Sequence, residues 1–179
     1  MAKNIEIKAR FGDLSIARRL AKALGARKRA MLVQVDTYFA VPDGRLKLRE
    51  ISGDARRAEL IWYDRPDRKT ARASRYYVVP VADPKGLKVA LTAALGVTTV
   101  VRKRRELWMF KNVRIHLDCV DGLGSFIELE AVVGNRHSSA TSRANLLKVQ
   151  RALRIELGVL VSQSYSDLVQ PAKLTAGSN

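Results

Sequence analysis

The chain has 179 residues, and its 33 Lys and Arg against 17 Asp and Glu give a formal net charge of +16 at pH 7. With 47% hydrophobic residues it can build a core, which excludes a disordered polycation. The single cysteine, Cys119, excludes an internal disulfide, and only two histidines are available to help it form a zinc site. Three partners could accept the excess charge: nucleic acid, an anionic membrane surface or a phosphorylated small molecule.

No linker or low-complexity segment divides the chain, so we expect one domain over residues 1–170 and a loose tail over 171–179. No run of about 18 consecutive apolar residues occurs, so no membrane-spanning helix is expected. The N-terminus lacks the apolar run of a signal peptide. We therefore expect a cytoplasmic protein without a membrane partner, and the sequence leaves a homodimer open.

The chain contains segments in which polar and apolar residues alternate, as in strands, and segments in which apolar residues recur at helical spacing. From Asn4 to Phe11 polar and apolar residues alternate, which predicts a strand. A helix follows and stops at Gly25, and a second helix opens on Asp83 as N-cap with Pro84 at its first position. In chain order, strands are predicted over 4–11, 32–39, 45–49, 58–63, 75–81, 97–110, 113–120 and 125–133, and helices over 13–24, 84–95 and 141–157.

Mostly antiparallel strands with three amphipathic helices fit either an open sheet with helices on one side or a closed barrel with helices outside. Cations follow one another on single faces of the first and third strands, whereas Glu128 and Glu130 share a face of the last strand. Like charges along one strand repel unless opposite charge or an anion lies among them. A shared concavity that holds a ligand is one solution.

Carboxylates from three strands are candidates for a metal site: Glu6, Asp118, Glu128 and Glu130. Oxygen ligands of this kind suit Mg²⁺ or Mn²⁺, which keep waters that substrate phosphates can replace. The alternative is that these acids pair with neighbouring Arg and Lys on a solvated face.

Cations occupy alternating positions in four strands: Lys8, Arg10, Arg45, Lys47, Arg49, Arg75, Lys103 and Arg105. They are too many for one monophosphate and suit a chain of phosphates. An RNA-binding face is the alternative, but aromatic residues are only 6% of the chain and do not interleave with the basic strands, so nucleic acid is not the expected partner. Arg102 and Arg104 alternate with the inward cations and should face solvent, as should the basic stretch from Arg18 to Arg29.

Six short motifs occur in a characteristic order: NIEIK at residues 4–8, QVDTYF at 34–39, LKLRE at 46–50, KRR at 103–105, VRIHLD at 113–118 and GLGSFIELE at 122–130. Together they resemble the CYTH domain, the triphosphate tunnel metalloenzymes that include class IV adenylyl cyclases and thiamine or inorganic triphosphatases. The resemblance covers almost the whole chain and implies an α+β fold, in which an eight-stranded antiparallel β-barrel forms a tunnel and helices pack outside.

The resemblance also assigns roles to the charged residues. Glu6, Glu128 and Glu130 would bind Mg²⁺ or Mn²⁺, with Asp118 nearby. The triphosphate would be bound by Lys8, Arg10, Lys47, Arg49, Lys103, Arg105 and Arg114, of which Lys8, Lys103 and Arg105 are the catalytic candidates. Asn4 departs from the family signature, because it places a neutral oxygen donor where the first glutamate is expected.

The leading hypothesis is a metal-dependent enzyme of the class IV adenylyl cyclase kind, which converts ATP to cyclic AMP and pyrophosphate. The alternatives are a triphosphatase that hydrolyses thiamine triphosphate or tripolyphosphate, and a non-catalytic module that binds polyphosphate or nucleic acid. A cyclase needs an adenine pocket, and Trp62, Tyr63, Tyr76 and Tyr77 are candidates for it, although packing or a place at the tunnel mouth would explain most of them.

Overall fold

The computed structural model describes residues 3–64, 75–134 and 136–169, so the predicted tail at 171–179 lies outside the described residues. Its strands are β1 (Lys3–Arg10), β2 (Arg27–Phe39), β3 (Arg45–Gly53), β4 (Arg57–Asp64), β5 (Arg75–Val81), β6 (Val97–Phe110), β7 (Val113–Val120) and β8 (Gly124–Val133). Its helices are α1 (Leu14–Ala23), α2 (Pro84–Leu95), α3 (Ser139–Ala152) and α4 (Tyr165–Val169), with a 3₁₀ turn at Leu157–Val159.

The eight strands form one antiparallel sheet in the order β1-β8-β7-β6-β2-β3-β4-β5. Residues from all eight strands line one cavity, because the sheet curls into a half-barrel. Within the described residues no ladder joins β5 to β1, so these strands are the two edges. The α+β architecture and the eight antiparallel strands confirm the prediction.

Three helices cover the convex face of the sheet. Ala17 and Ala21 of α1 and Leu146 and Val149 of α3 are fully buried in a core with the apolar residues of β1, β7 and β8. Leu87 and Leu91 of α2 pack against a second cluster that contains Phe39, Leu48 and Ala58. These helices lie outside the curled sheet, as predicted.

Capping residues define the start of α1 and of α2, whereas α3 ends earlier than predicted. Asp13 caps α1 by accepting a hydrogen bond from the Ser15 amide at 2.7 Å, and Asp83 caps α2. Helix α3 ends at Ala152 rather than at residue 157, because Arg154 takes a left-handed conformation with φ 55°. The Ile155 amide then donates to the Gln150 carbonyl at 3.0 Å, which closes the helix end without a glycine.

The short helix α4, which periodicity does not predict, lies on the opposite side of the sheet from α1–α3. Tyr165 packs with Tyr38, Phe126 and other residues of the concave face. Arg45 pairs with Asp167 at 2.9 Å and links α4 to β3. The C-terminal segment therefore closes one end of the curled sheet. Within the described residues, no helix combines the length and apolar character that a membrane crossing requires.

Candidate active site

The concave face encloses a cavity of about 540 Å³ whose lining is dominated by charged and polar side chains. Strand alternation puts every second residue on this face, so Lys47 and Arg49 of β3 and Lys103 and Arg105 of β6 point into it, as does Lys8 of β1. Arg102 and Arg104 alternate with the β6 pair and are exposed, as the sequence predicts. The excess charge is thus divided between an inner and an outer surface.

Asp36 on β2 anchors the first pair of cavity cations. Its two oxygens accept hydrogen bonds from Arg49 Nε and Nη2, each at 2.7 Å, and Oδ2 also accepts from Lys47 Nζ at 2.9 Å. Burial alone would raise the pKa of this carboxyl, but Arg49 and then Lys47 outweigh it and hold the pKa well below its usual range. Asp36 is therefore ionised and fixes both cations.

Asp118 on β7 anchors the second pair in the same way. Arg105 donates from Nε to Oδ1 at 2.7 Å and from Nη2 to Oδ2 at 2.5 Å, and the Tyr165 hydroxyl donates to Oδ2 at 2.9 Å. Burial opposes ionisation, but Arg105 and then Lys103 lower the pKa of Asp118 to about 2. The side chain of Asp118 is fully buried, and Arg105 Nη2, which donates to Asp118, also donates to Glu128 Oε2 at 2.7 Å. The metal role of Asp118 stays a prediction.

Lys103 is a buried cation of the site whose pKa is lowered. Its side chain is 3% exposed, and its Nζ lies 3.9 Å from Asp118 Oδ2. Burial, and next the Arg105 guanidinium, lower its pKa to about 7. An anion that enters the cavity would favour the charged form of this lysine.

An acidic edge forms where β1, β8 and β7 meet. Where β1 pairs with β8, Glu6 lies opposite Glu130 and Lys8 lies opposite Glu128. Where β7 pairs with β8, His116 lies opposite Glu128 on its other side. One ligand atom each from His116, Glu128 and Glu130 lies within 4.8 Å of the others, so these three residues could hold a metal ion. Burial disfavours the charge on Glu128, but the positive charge of Lys8, and also that of Arg105, holds its pKa well below the usual range.

The orphaned polar atoms of the described residues lie around the same cavity. Asn4 Oδ1, Gln34 Oε1 and His116 Nδ1 are buried and have no hydrogen-bond partner within the described part of the chain. Buried polar atoms are nearly always paired with protein, water or a bound group. Together with the carboxylates, this set of oxygen and nitrogen donors fits a hydrated divalent cation.

The structure separates the predicted phosphate-binding residues into three groups. Lys8, Lys47, Arg49, Lys103 and Arg105 line the cavity. Arg114 also lines it, but its side chain is 45% exposed and lies 3.6 Å from Glu130, which places it at the mouth. Arg10 is not brought to the cavity lining: it is exposed and donates to the Leu123 carbonyl at 3.2 Å.

Sequence reasoning missed Asp36, His116 and Tyr165. Asp36 alternates with Gln34 and Tyr38 on β2, so period two could have placed it on the inner face. His116 shares its face of β7 with Arg114 and Asp118 in the same way. Tyr165 lies in a segment with no strand or helix periodicity, so no local signal indicates its place.

The aromatic residues of the cavity are tyrosines that lie beside ammonium groups. Lys47 Nζ is 5.3 Å from the Tyr38 ring centroid and 5.4 Å from that of Tyr63. The Tyr165 ring centroid lies 4.0 Å from Lys8 Nζ and 4.9 Å from Lys103 Nζ. The same ring packs edge to face against Phe126.

The other candidates for an adenine pocket lie elsewhere. Trp62 packs its ring 5.9 Å from that of Tyr77 and donates to the Asp43 carbonyl. Neither Trp62 nor Tyr77 lines the cavity, and Tyr77 is 58% exposed. The side chain of Tyr76 lies outside the described residues. Of the four aromatics, Tyr63 alone is placed at the cavity within the described part of the chain.

A family model described as the CYTH domain matches residues 2–165, so the chain belongs to the CYTH domain family. A Methanocaldococcus jannaschii protein named "Putative adenylate cyclase" is 24% identical over 174 residues, which are 92% of this chain and 97% of that protein.

Solved structures share the fold. A Pyrococcus horikoshii protein has a TM-score of 0.81 at 24% identity, with 93% of this chain and 99% of that chain covered. A Hippeastrum protein, described as a "putative adenylyl cyclase" with a dominant triphosphatase activity, has a TM-score of 0.61 at 14% identity, with 92% and 91% covered.

Proposed function

We propose that this chain is a divalent-metal-dependent enzyme that acts on a nucleotide or other organic triphosphate, with conversion of ATP to cyclic AMP and pyrophosphate as its leading activity. The observation that carries the proposal is the cavity itself, in which five buried or half-buried cations lie beside the acidic edge. The cations are Lys8, Lys47, Arg49, Lys103 and Arg105, and the carboxylates buried among them are Asp36, Asp118 and Glu128. The surplus of positive charge suits a chain of phosphates.

The two arginines are held in place before a substrate enters. Each guanidinium is bound through two nitrogens to a buried aspartate, Arg49 to Asp36 and Arg105 to Asp118. Fixed donors stabilise charge that develops on a leaving phosphate without the cost of reorganising solvent. We therefore assign phosphate binding and charge stabilisation to Arg49, Arg105 and the three lysines, and positioning of these groups to Asp36 and Asp118.

The acidic edge fits a divalent cation, which Glu6, Glu128 and Glu130 would hold. When bound, the ion supplies charge neutralisation on the phosphate oxygens. In the cyclase reaction the ribose 3′-hydroxyl oxygen forms a bond to the α-phosphorus, the bond from that phosphorus to the pyrophosphate oxygen breaks, and the hydroxyl proton passes to solvent or to the released pyrophosphate. Lys8 and Lys103, beside Tyr165, would bind the departing phosphates.

Hydrolysis of a triphosphate is the second candidate, and the cavity tyrosines favour it. Tyr38, Tyr63 and Tyr165 each lie beside a lysine ammonium, so these rings are occupied by cations rather than open to a purine base. The activity described for the Hippeastrum protein is of this kind. In that reaction water would attack the terminal phosphorus. A binding module without turnover is the third candidate, because Asn4 lacks the charge of the signature glutamate.

Product analysis separates the three candidates. The full chain is incubated with ATP, thiamine triphosphate or tripolyphosphate, each with Mg²⁺ or Mn²⁺. Cyclic AMP with pyrophosphate supports the cyclase, and orthophosphate supports the hydrolase. Binding of tripolyphosphate without any turnover would contradict an enzymatic role and support the module.

Replacement of Glu128 tests the assigned metal edge. We expect Glu128→Gln to abolish turnover and to keep most of the tripolyphosphate binding, because the amide keeps the side-chain shape but lacks the charge that a cation requires. Glu156→Gln, on an exposed residue, is the matched control and should behave as wild type. Unchanged activity of Glu128→Gln would refute the metal assignment.

A further inference from the structure

His116 is a buried imidazole whose Nδ1 atom points at two carboxylates without bonding to either. Its side chain is 7% exposed, and Nδ1 lies 3.7 Å from Glu128 Oε2 and 3.9 Å from Glu130 Oε1. These separations exceed hydrogen-bond length, and Nδ1 has no partner within the described part of the chain. An imidazole nitrogen left in this state is an unused donor or an unused ligand.

The spacing of the three side chains suits a shared cation. An ion with ligands at about 2.1 Å places any two ligand atoms at most about 4.2 Å apart. Both distances from His116 Nδ1 lie within that limit, and the whole group lies within 4.8 Å. A small inward movement of the glutamate side chains would complete the set.

We propose that His116 is a nitrogen ligand of the divalent cation at this edge, together with Glu128 and Glu130, and that it makes the site prefer a transition-metal ion such as Mn²⁺ over Mg²⁺. The inference rests on the proposed function only in that a divalent cation binds here. Imidazole binds first-row transition metals well, whereas Mg²⁺ takes oxygen ligands almost exclusively.

The test is pulsed electron paramagnetic resonance of Mn²⁺ bound to the full chain. We expect hyperfine coupling from one imidazole ¹⁴N, which changes to the ¹⁵N pattern when histidine is isotopically labelled. His116→Gln should lose this coupling and bind Mn²⁺ about tenfold or more weakly, with a smaller change for Mg²⁺. His137→Gln, which changes the other histidine of the chain, should keep both coupling and affinity.

The outcomes separate this inference from the proposed function. Bound Mn²⁺ without nitrogen coupling in the labelled wild-type chain overturns the role of His116 and leaves the metal-dependent enzyme standing. Failure of both Mn²⁺ and Mg²⁺ to bind, with or without tripolyphosphate, overturns both. The isotope experiment uses the unaltered chain, so it decides the question even where His116→Gln fails to fold.

Discussion

Asp36 and Asp118 are acids among the cations of the concave face, and their contacts explain why they are there. Each accepts two hydrogen bonds from one arginine, and each lies within 4 Å of one lysine ammonium. Without these carboxylates the cavity cations would repel one another in a site with little access to water. The aspartates therefore allow the cations to be buried in fixed positions.

Lys103 should make triphosphate binding dependent on pH. Its pKa is about 7 in the folded chain, lowered first by burial and next by Arg105, against about 10.4 for an unfolded lysine. Between these values the unfolded chain binds more protons, so this group makes the free energy of unfolding rise with pH and leaves it lowest below about pH 7. A bound polyphosphate favours the ammonium, so binding should take up a proton in that window.

We therefore expect the affinity for tripolyphosphate to fall between about pH 7 and pH 9, more steeply for wild type than for Lys103→Met. Isothermal titration calorimetry in two buffers of different ionisation enthalpy measures the proton uptake. Lys22→Met, on the exposed face of α1, should keep the wild-type pH profile. Identical slopes for wild type and Lys103→Met would contradict the role of Lys103.

Among the elements, α1 is the helix whose packing depends most visibly on small residues. Ala17 and Ala21 are both 0% exposed and lie against the apolar residues of the sheet. Their lack of a long side chain allows α1 to approach the strands that carry Lys8 and Glu128 on their other face. Interiors of this kind have little space for added methylene groups.

Ala21→Leu should consequently destabilise the fold by about 1–3 kcal/mol through overpacking. Urea denaturation measures the change, read from the midpoint at constant slope. Ala23→Leu adds the same side chain to an exposed position of the same helix and should stay within about 0.5 kcal/mol of wild type. Equal effects of the two substitutions would show that α1 is not closely packed.

The α4 segment decides how the cavity opens. Tyr165 meets Phe126 on the inner face, and Arg45 and Asp167 join α4 to the sheet. The opposite end carries Glu6, Glu130 and the partly exposed Arg114. This end therefore offers a substrate a route into the cavity past the acidic edge, where the proposed cation would bind.

At the scale of the whole molecule, the net charge of +16 belongs to two surfaces with different surroundings. Inner cations contact buried carboxylates, whereas Arg19, Arg29, Arg102 and Arg104 are exposed on the outside. Exposed charges farther from a ligand than about 10 Å are screened at ordinary ionic strength. The two sets should therefore contribute very differently to polyphosphate binding.

Charge reversal on the outside tests this division. Arg19→Glu with Arg29→Glu changes the net charge by four, from +16 to +12, yet should alter the affinity for tripolyphosphate by less than about threefold at 0.15 M salt. Lys47→Met removes one inner charge and should weaken binding about tenfold or more, since a charge-assisted hydrogen bond contributes about 1.5–3 kcal/mol. Calorimetry on both variants measures the contrast. A larger loss in the outer variant would place the polyphosphate on the convex face.

Local pattern was sufficient for much of the fold and for part of the site. Period-two alternation predicts β5, β6 and β7 to the residue, and it assigns Lys103 and Arg105 to the face opposite Arg102 and Arg104. The capping residue Asp83 predicts the start of α2, and Gly25 predicts the end of α1. These features depend on neighbours a few residues apart, where backbone geometry fixes which way each side chain points.

Other features arise only when distant strands meet. The contact of Arg105 with Glu128 joins residues on β6 and β8, and Tyr165 reaches Asp118 across 47 positions of sequence. Arg10 alternates with Lys8 on β1, yet it lies outside the cavity lining and donates to the Leu123 carbonyl. Alternation thus establishes which face each charge occupies. The curl and the docking of α4, which depend on contacts distant in the chain, decide which charges share a cavity and which of its ends is closed.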